Sequence, residues 1–172
     1  DLQPEFGEMA RQANPKGRFE VADMRDFNLG NKYDAVLCLG SSFAGVRTIE
    51  NLRLAMKSFG CHLADAGTVI IERWFAPAEW IPGRVTSIKV EADDVQICRM
   101  SHSDQAGMVS VLTFEYLIGT KAGIARQTER HELGLFTDEQ VKDACSDAGI
   151  TVEVVGDPVF RRGLYVGEAS GK

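Results

Sequence analysis

The stretch Tyr33-Asp34-Ala35-Val36-Leu37-Cys38-Leu39 is almost continuously apolar, and Thr68-Val69-Ile70-Ile71-Glu72 repeats this pattern farther along the chain. Short runs of this kind are typical of strands that are covered on both faces in a parallel sheet. Between the two runs, apolar residues recur at helical spacing, at Ile49, Leu52, Met56, Phe59 and Leu63. This spacing predicts an amphipathic helix with Thr48 as its N-cap and Ala66-Gly67 as its end. Strand, helix and strand in this order predict a right-handed βαβ unit.

The segment from Pro77 to about Phe136 departs from this rhythm, because apolar and polar residues alternate there with a period of two. Alternation of this kind, interrupted by turn residues, predicts an antiparallel insertion of three or four strands. At Phe136 the earlier rhythm resumes. Thr137 and Gln140 form a capping box, which predicts a helix over 138–148.

The start of the chain also suits a sheet of this type. Asp1-Leu2-Gln3-Pro4 is typical of the end of a buried strand, and Arg18 to Ala22 is typical of a short strand. We therefore expect an α/β fold with an amino-terminally truncated, Rossmann-like sheet and an antiparallel β insertion. The expected segments are 1–76 for the first part of the sheet, 77–135 for the insertion and 136–172 for the return to the sheet.

Composition restricts the function classes. The net charge of -6 argues against a nucleic-acid or anionic-membrane partner, since both favour a dense basic patch. No apolar run approaches the length needed to span a bilayer. The four cysteines are scattered without a C-x-x-C pair, so neither a disulfide framework nor a metal site is expected. Buried, reduced thiols favour a cytoplasmic protein.

In open α/β sheets, ligands bind beyond the carboxyl ends of the strands. Four groups of residues follow the predicted strands directly: Asp1, Asp23-Met24, Leu39-Gly40-Ser41-Ser42, and Glu72-Arg73-Trp74-Phe75. One carboxylate can accept two hydrogen bonds from a ribose diol, and a second carboxylate followed by an apolar residue can hold an adenine ring. The pattern indicates an adenosine site. Each group also has an ordinary structural explanation, with Asp23 as a turn cap and Ser41-Ser42 as the start of a loop.

Further blocks of sequence narrow the class. They are Asn14-Pro15, Ala22-Asp23-Met24-Arg25-Asp26-Phe27 with Leu29-Gly30, Cys38 with Ser41-Ser42, Trp74 with Pro77, Pro82-Gly83, Ser101-His102-Ser103, Leu135-Phe136-Thr137 with Glu139-Gln140, and Arg162-Gly163-Leu164. In these blocks, their order and their spacing, the chain resembles the class I S-adenosylmethionine-dependent methyltransferases. The resemblance is strongest to the N,N-dimethyltransferases of nucleotide-linked 3-amino sugars, and it covers nearly the whole chain.

The resemblance implies that S-adenosyl-L-methionine is the cofactor and assigns it five residues. Asp1 matches the acidic residue that binds the cofactor ribose, and Asp23 matches the residue that binds the adenine amine. Met24 would contact the adenine ring, and Leu39 and Gly40 would approach the methionine part of the cofactor.

The resemblance also implies a site for a small-molecule acceptor. Arg162 matches a position suited to the diphosphate of a nucleotide-linked sugar, because a guanidinium can bind phosphate oxygens in bidentate fashion. Ser41, Ser42, Trp74 and Phe75 would line the substrate cleft.

Two features depart from the family. The chain has no counterpart of the glycine-rich loop that cradles the methionine end of the cofactor, since no G-x-G-x-x-G occurs. The family's histidine after the Ser-Ser pair aligns with Gly45. We assign no catalytic residue, and for His62, near the end of the predicted helix, we expect a surface or helix-dipole role.

The function expected from the sequence is therefore methyl transfer from S-adenosylmethionine to an amine or hydroxyl of a small molecule, with a nucleotide-linked amino sugar as a candidate. The alternative is a non-catalytic remnant or dimerisation module that has lost cofactor binding. The long alternating strands suit a homodimer that forms through a sheet edge of the β insertion. A third reading, another adenosine-cofactor protein such as a dehydrogenase, has no support without the glycine loop.

Overall fold

The computed structural model describes residues 1–170. Residues 171–172, with which the expected segment 136–172 ends, lie outside the described residues. The chain divides into two compact units, one formed by residues 1–73 together with 138–170, and the other by Trp74–Thr137.

The first unit contains a four-stranded sheet and three α-helices. Along the chain these are α1 (Pro4–Ala13), β1 (Tyr33–Cys38), α2 (Ile49–His62), β2 (Leu63–Glu72), α3 (Asp138–Asp147), β7 (Ile150–Val155) and β8 (Leu164–Ala169). A short 3-10 helix over Ser42–Val46 lies between β1 and α2. The strand order is β1-β2-β8-β7, in which β1 and β2 are parallel and β8 is antiparallel to both of its neighbours. The α/β fold and the βαβ succession expected from the sequence are confirmed.

Helix α2 begins as its sequence predicts. The Thr48 side chain accepts a hydrogen bond from the Asn51 backbone N–H at 3.3 Å, which is the N-cap interaction. The apolar face of α2 is buried and consists of Leu52, Ala55, Met56 and Phe59. Together with Val69 and Ile71 of the central strand β2, which are also buried, these side chains form much of the core of the unit.

The end predicted for α2 was wrong, and so was the strand predicted over residues 18–22. Helix α2 ends at His62 and not at Ala66-Gly67, because Leu63 is already extended and pairs with Tyr33. The register between β1 and β2 then shifts before Ala35. Residues 18–22 do not form a regular strand, because they pair with a single residue: Asp1 donates its N-terminal N–H to Glu20 O and accepts from Ala22 N.

The second unit is an antiparallel sheet of four strands in the order β3-β4-β5-β6. The strands are β3 (Val85–Ala92), β4 (Val95–Ala106), β5 (Val109–Thr120) and β6 (Gly123–Gly134). Each is joined to the next by a tight turn, so the insertion predicted from alternating residues is confirmed and has four strands. Within residues 1–170, no helix has the length and apolar character required to cross a membrane.

Helices α2 and α3 approach each other closely at Gly60. A Cβ atom at this position would lie 2.4 Å from the backbone O of Ala148. Backbone cannot move aside as a flexible side chain can. The absence of a side chain at Gly60 therefore allows the two helices to pack.

We expect Gly60→Ala to lower the free energy of unfolding by about 1–3 kcal/mol through overpacking. Helix propensity alone would raise it by about 1 kcal/mol, so the sign of the change separates the two effects. Urea unfolding measures the difference. Gly156→Ala is the matched control, since no atom lies within 4 Å of its added Cβ, and a stabilised Gly60→Ala variant would contradict the packing argument.

Candidate functional site

The first unit contains an open cavity of about 1060 Å³ beside the carboxyl end of β1. Five residues assigned to the site from the sequence line it: Asp1, Asp23, Met24, Leu39 and Ser42. They come from three separate parts of the chain, which the pairing of Asp1 with Glu20 and Ala22 and the end of β1 bring together. The cavity is large enough for a cofactor-sized ligand.

The carboxylate of Asp23 is fixed by Arg25. Arg25 donates from its backbone N–H (2.9 Å) and Nε (2.9 Å) to Oδ1, and from Nη2 to Oδ2 (2.5 Å). The side-chain hydrogen bond from Arg25 is the largest cause that lowers the pKa of the Asp23 carboxyl, with the backbone hydrogen bond second. At neutral pH the carboxylate is therefore ionised, and it acts purely as a hydrogen-bond acceptor.

The other acidic residue assigned to the site from the sequence is Asp1. Its Oδ1 accepts a hydrogen bond from the Gln3 backbone N–H at 2.9 Å. A carboxylate has room for about four hydrogen bonds in all, so acceptor capacity remains on Asp1, whereas Arg25 already makes two contacts with each oxygen of Asp23. The cavity thus presents these two carboxylates from separate parts of the chain.

Apolar side chains fill the lining between these carboxylates. Leu2, Phe6, Leu37 and Leu39 all line the cavity and are exposed. Exposed apolar residues in a concavity are typical of a ligand site, because a bound ligand removes them from water. An apolar, planar ring system between two carboxylate acceptors fits this lining.

The loop after β1 has an unusual backbone. Gly40 and Ser41 are consecutive residues with positive φ, at 67° and 55°. The Ser41 side chain is buried, and its Oγ donates to the Arg73 backbone O at 2.7 Å. Gly40 and Ser41 do not line the cavity, although their neighbours Leu39 and Ser42 do. The Ser42 hydroxyl donates to Leu39 O at 2.7 Å.

Arg162 bonds to this loop and does not line the cavity. Its Nη2 donates to Glu72 Oε1 (2.7 Å) and to Ser41 Oγ (3.1 Å), and its Nε donates to Arg73 O (2.9 Å). The guanidinium is thus oriented by one carboxylate and one carbonyl. About a third of its side chain, 32%, remains exposed.

A second arginine continues the polar network into the unit. Arg73 donates from Nε (3.1 Å) and Nη2 (2.9 Å) to Asp138 Oδ1, and the Tyr165 hydroxyl donates to the same oxygen at 2.6 Å. Burial, and next the hydrogen bond with Asp138, raise the pKa of Tyr165, so that it stays a neutral donor. Sequence patterns identified Arg162 but gave no signal for the Glu72 and Asp138 partnerships, which depend on long-range pairing.

The two aromatic candidates belong to the second unit. Trp74 and Phe75 form a cluster with Trp80, with ring centroids 5.0 to 5.8 Å apart. The indole N–H of Trp74 donates to Ser110 Oγ at 2.9 Å. All three rings are partly exposed. Sequence analysis missed Trp80 as a member of this cluster.

His62 does not have the surface role expected from the sequence, because it is buried. Its Nε2 accepts from the Leu29 backbone N–H (2.9 Å), and its Nδ1 lies 2.7 Å from Ser58 O. One nitrogen must accept and the other must donate, so the neutral Nδ1–H tautomer satisfies both bonds. The ring also stacks on Phe27, at 4.4 Å between centroids. His62 therefore stabilises the junction of α2 with residues 27–29.

Gly45 lines the cavity, and no atom lies within 4 Å of a Cβ built on it. Space for a side chain is therefore available at Gly45, the position of the histidine in the family that the sequence resembles. Cys38 also lines the cavity, and burial raises the pKa of its thiol to about 11, so the group is a neutral apolar contact. Within the described chain, no cluster of His, Cys, Asp and Glu has the makings of a metal site.

The chain is similar in sequence to two sugar N,N-dimethyltransferases. The chain is 34% identical to the dTDP-3-amino-3,6-dideoxy-alpha-D-glucopyranose N,N-dimethyltransferase of Streptomyces fradiae over 173 residues, which cover 100% of this chain and 68% of that protein. It is 35% identical to the dTDP-4-amino-2,3,4,6-tetradeoxy-D-glucose N,N-dimethyltransferase of Saccharopolyspora spinosa over 167 residues, covering 97% of this chain and 67% of that protein. No family model matches.

Among solved structures, the fold matches CalS10 with bound S-adenosylmethionine, an amino pentose methyltransferase from Micromonospora echinaspora, with a TM-score of 0.91. The two chains are 31% identical, and the match covers 98% of this chain and 72% of that one. A match of this extent includes both units of the present chain.

The bonds between Arg25 and Asp23 predict a measurable pKa change. We expect Arg25→Gln to raise the pKa of the Asp23 carboxyl toward its ordinary value, because the hydrogen-bond donors that favour the charged form are lost. In the unaltered protein the folded-state pKa lies below the unfolded one. The interaction therefore adds stability above the ordinary carboxyl pKa of ~3.9, and this stability is lost as the pH falls through the lowered folded value.

An NMR titration of the Asp23 carboxyl carbon measures this shift. Arg53→Gln is the control, since Arg53 pairs with Asp147 and has no bond to Asp23. An unchanged Asp23 titration in Arg25→Gln would show that the charge pair does not set the ionisation of the site.

Proposed function

The chain belongs to the S-adenosylmethionine-dependent N,N-dimethyltransferases of nucleotide-linked amino sugars, and on this premise we propose that it methylates the amino group of a dTDP-linked amino sugar. The observation that carries the proposal is the cavity, which brings Asp1, Asp23 and Met24 together beside the end of β1. This arrangement favours an active cofactor site over a remnant that has lost it. The acceptor class is proposed from the names of the two relatives, together with the partly exposed side chain of Arg162.

The residues present fit the cofactor. The carboxylate of Asp1 has free acceptor capacity for a ribose diol, the carboxylate of Asp23 can accept an adenine amine in exchange for one of its contacts with Arg25, and the apolar lining suits the adenine ring. We propose Asp1 for the ribose, Asp23 for the amine and Met24 for the ring. Leu39, which lines the cavity, is proposed to approach the methionine part directly, and Gly40, which does not line it, through the backbone of the loop.

For the acceptor, we propose that Arg162 binds diphosphate oxygens, since Glu72 and the Arg73 carbonyl already orient its guanidinium. Ser42 is proposed to contact the sugar directly, and Ser41 to act through the loop that its buried hydroxyl stabilises. Trp74 and Phe75 are proposed as apolar contacts of the acceptor.

S-adenosylmethionine, when bound, supplies a methyl group that its sulfonium already activates. The chain therefore has to hold the acceptor nitrogen in line with that methyl group, and positioning of this kind accounts for a large part of such rate enhancements. The nitrogen must also lose one proton, and the cavity mouth is open to water, which can accept it. A protein base is consequently not required by this arrangement.

The proposal predicts a loss of cofactor affinity when the acceptor charge at Asp23 is removed. Titration calorimetry of the full-length protein with S-adenosylhomocysteine should show that Asp23→Asn weakens binding by about tenfold or more, the usual effect of losing a hydrogen bond to a charged group. Asp26→Asn is the matched control, because Asp26 lies in the same turn but does not line the cavity. Equal affinities for Asp23→Asn and the unaltered protein would contradict the assignment.

The acceptor class has its own assay. Incubation of the full-length protein with S-adenosylmethionine and a dTDP-linked 3- or 4-amino sugar should give a mass increase of one or two methyl groups. The corresponding sugar with a hydroxyl group in place of the amine should give none. Methylation of the hydroxyl sugar alone would overturn the proposed acceptor.

We also propose that the chain forms a homodimer through edge strand β3 of the insertion, for which the sequence predicts the range 77–135. Every residue of β3 is exposed, including the apolar Val85, Ile88 and Val90. Exposed, apolar edge strands are sites of pairing with another chain, whereas charged residues protect the opposite edge strand β6.

The dimer can be tested by light scattering after gel filtration. Ile88→Lys combined with Val90→Lys should convert the protein to a monomer, because lysines on an edge strand disfavour pairing. Ile124→Lys is the control, since it places the same charge on the exposed far edge in β6. A dimer that survives the β3 change, or dissociates with Ile124→Lys, would contradict the proposed edge.

A cytoplasmic location and the lack of a nucleic-acid partner are part of the same proposal. Cys38 and Cys145 are buried as expected from the sequence, but the expected burial is wrong for Cys61 and Cys98, which are exposed free thiols. Exposed free thiols suit a reducing compartment. The net charge of -6 disfavours nucleic acid.

A further inference from the structure

The carboxylate of Glu72, the last residue of β2, joins two parts of the proposed site. Its Oε2 accepts the Gly40 backbone N–H at 2.7 Å, and its Oε1 accepts Arg162 Nη2 at 2.7 Å. Only 13% of the side chain is exposed, and Glu72 does not line the cavity. It can therefore contact the loop and the arginine at once without reaching a ligand in the cavity.

The loop needs such external support. Left-handed backbone costs a non-glycine residue about 1–2 kcal/mol, and Ser41 adopts it directly after Gly40. Such a conformation persists only when surrounding contacts determine it. Here the contacts are the bond from Gly40 to Glu72 and the bonds of Ser41 Oγ with Arg73 and Arg162.

The loop position also sets the shape of the cavity. Leu39 and Ser42, the residues on either side of the strained pair, both line it. A change in the backbone at Gly40 would move these two residues together. The carboxylate of Glu72, which is mostly buried, therefore bonds both to the loop beside the cavity and to the guanidinium of Arg162.

We propose that Glu72 is a positioning residue for methyl transfer: by holding Gly40 and Arg162 on one carboxylate, it sets the distance between the loop at the cofactor and the arginine at the acceptor. This inference rests on the proposed function for the roles of the loop and of Arg162. It adds a residue that touches neither ligand. It also accounts for the orientation of the Arg162 guanidinium.

Glu72→Gln tests this role with almost no change in size. An amide keeps one acceptor oxygen, but its NH₂ group faces a donor, so one of the two bonds must be lost. Asp138→Asn is the matched control. It makes the same chemical change at the other carboxylate of the network, which holds Arg73 and Tyr165 and does not contact the loop.

The first measurement needs no ligand. Amide hydrogen exchange, followed by NMR on the full-length protein, should show that Glu72→Gln increases the exchange rate of the Gly40 amide by about tenfold or more, as expected for local opening of a weakened loop. Asp138→Asn should leave this amide within about twofold of the unaltered protein while lowering the unfolding temperature. An unchanged Gly40 amide in Glu72→Gln would overturn the inference whatever the function.

The second measurement is kinetic. With a dTDP-linked amino sugar as acceptor, Glu72→Gln should lower kcat by ~10- to 100-fold and change KM for either substrate by less than about threefold, because misplacement affects the reacting geometry more than binding. Asp138→Asn, assayed well below its unfolding temperature, should keep kcat within about twofold. Faster exchange at Gly40 with an unchanged kcat would refute the positioning role, as would an equal loss of kcat in both variants.

The two proposals fail in different ways. If the unaltered protein does not methylate the amino sugar, the proposed acceptor is wrong. Hydrogen exchange, which needs no acceptor, still decides the role of Glu72: the inference requires faster exchange of the Gly40 amide in Glu72→Gln than in Asp138→Asn, and equal rates overturn it.

Discussion

The parallel register of β1 and β2 places Cys38 beside Ile71, so the two strands end at the same edge of the sheet. The residues that follow, Gly40 and Glu72, consequently meet within hydrogen-bonding distance. Everything described at this edge depends on that register. A slip of one residue would turn alternate side chains to the other face and would separate the carboxylate from the loop.

Charges gathered at a partly buried edge must compensate one another. Arg73 and Arg162 are balanced by Asp138 and Glu72, and each arginine also donates to the backbone carbonyl of the other, at 2.6 and 2.9 Å. Within residues 1–170, no buried side-chain nitrogen or oxygen lacks a hydrogen-bond partner. Removal of one carboxylate leaves a cation without its counterion, which is costly in a partly buried setting. The bonds between Arg73 and Arg162 connect the start of β8, which follows Arg162, to the end of β2.

The sequence was most informative where a periodic pattern reflects burial. The apolar runs at Tyr33–Leu39 and Thr68–Glu72 and the helical spacing between them predicted β1, β2 and α2. Alternation predicted an insertion of three or four antiparallel strands, and the structure has four. It was least informative where a distant partner decides the local structure. Leu63 leaves the helix because Tyr33 pairs with it, and residues 18–22 stay outside a regular strand because only Asp1 pairs with them.

The same distinction applies to the site. Asp23 and Met24 could be selected by their position after an extended segment. The lowered pKa of the Asp23 carboxyl, however, depends on an arginine two residues away, and the position of Gly40 depends on a carboxylate 32 residues away. His62 is neutral because its two hydrogen-bond partners require one donor and one acceptor. These contacts therefore identify no general base, and methyl transfer needs none when the methyl group is already activated. What the chain contributes is geometry, and the strained pair Gly40-Ser41 is where that geometry depends most on contacts from the rest of the fold.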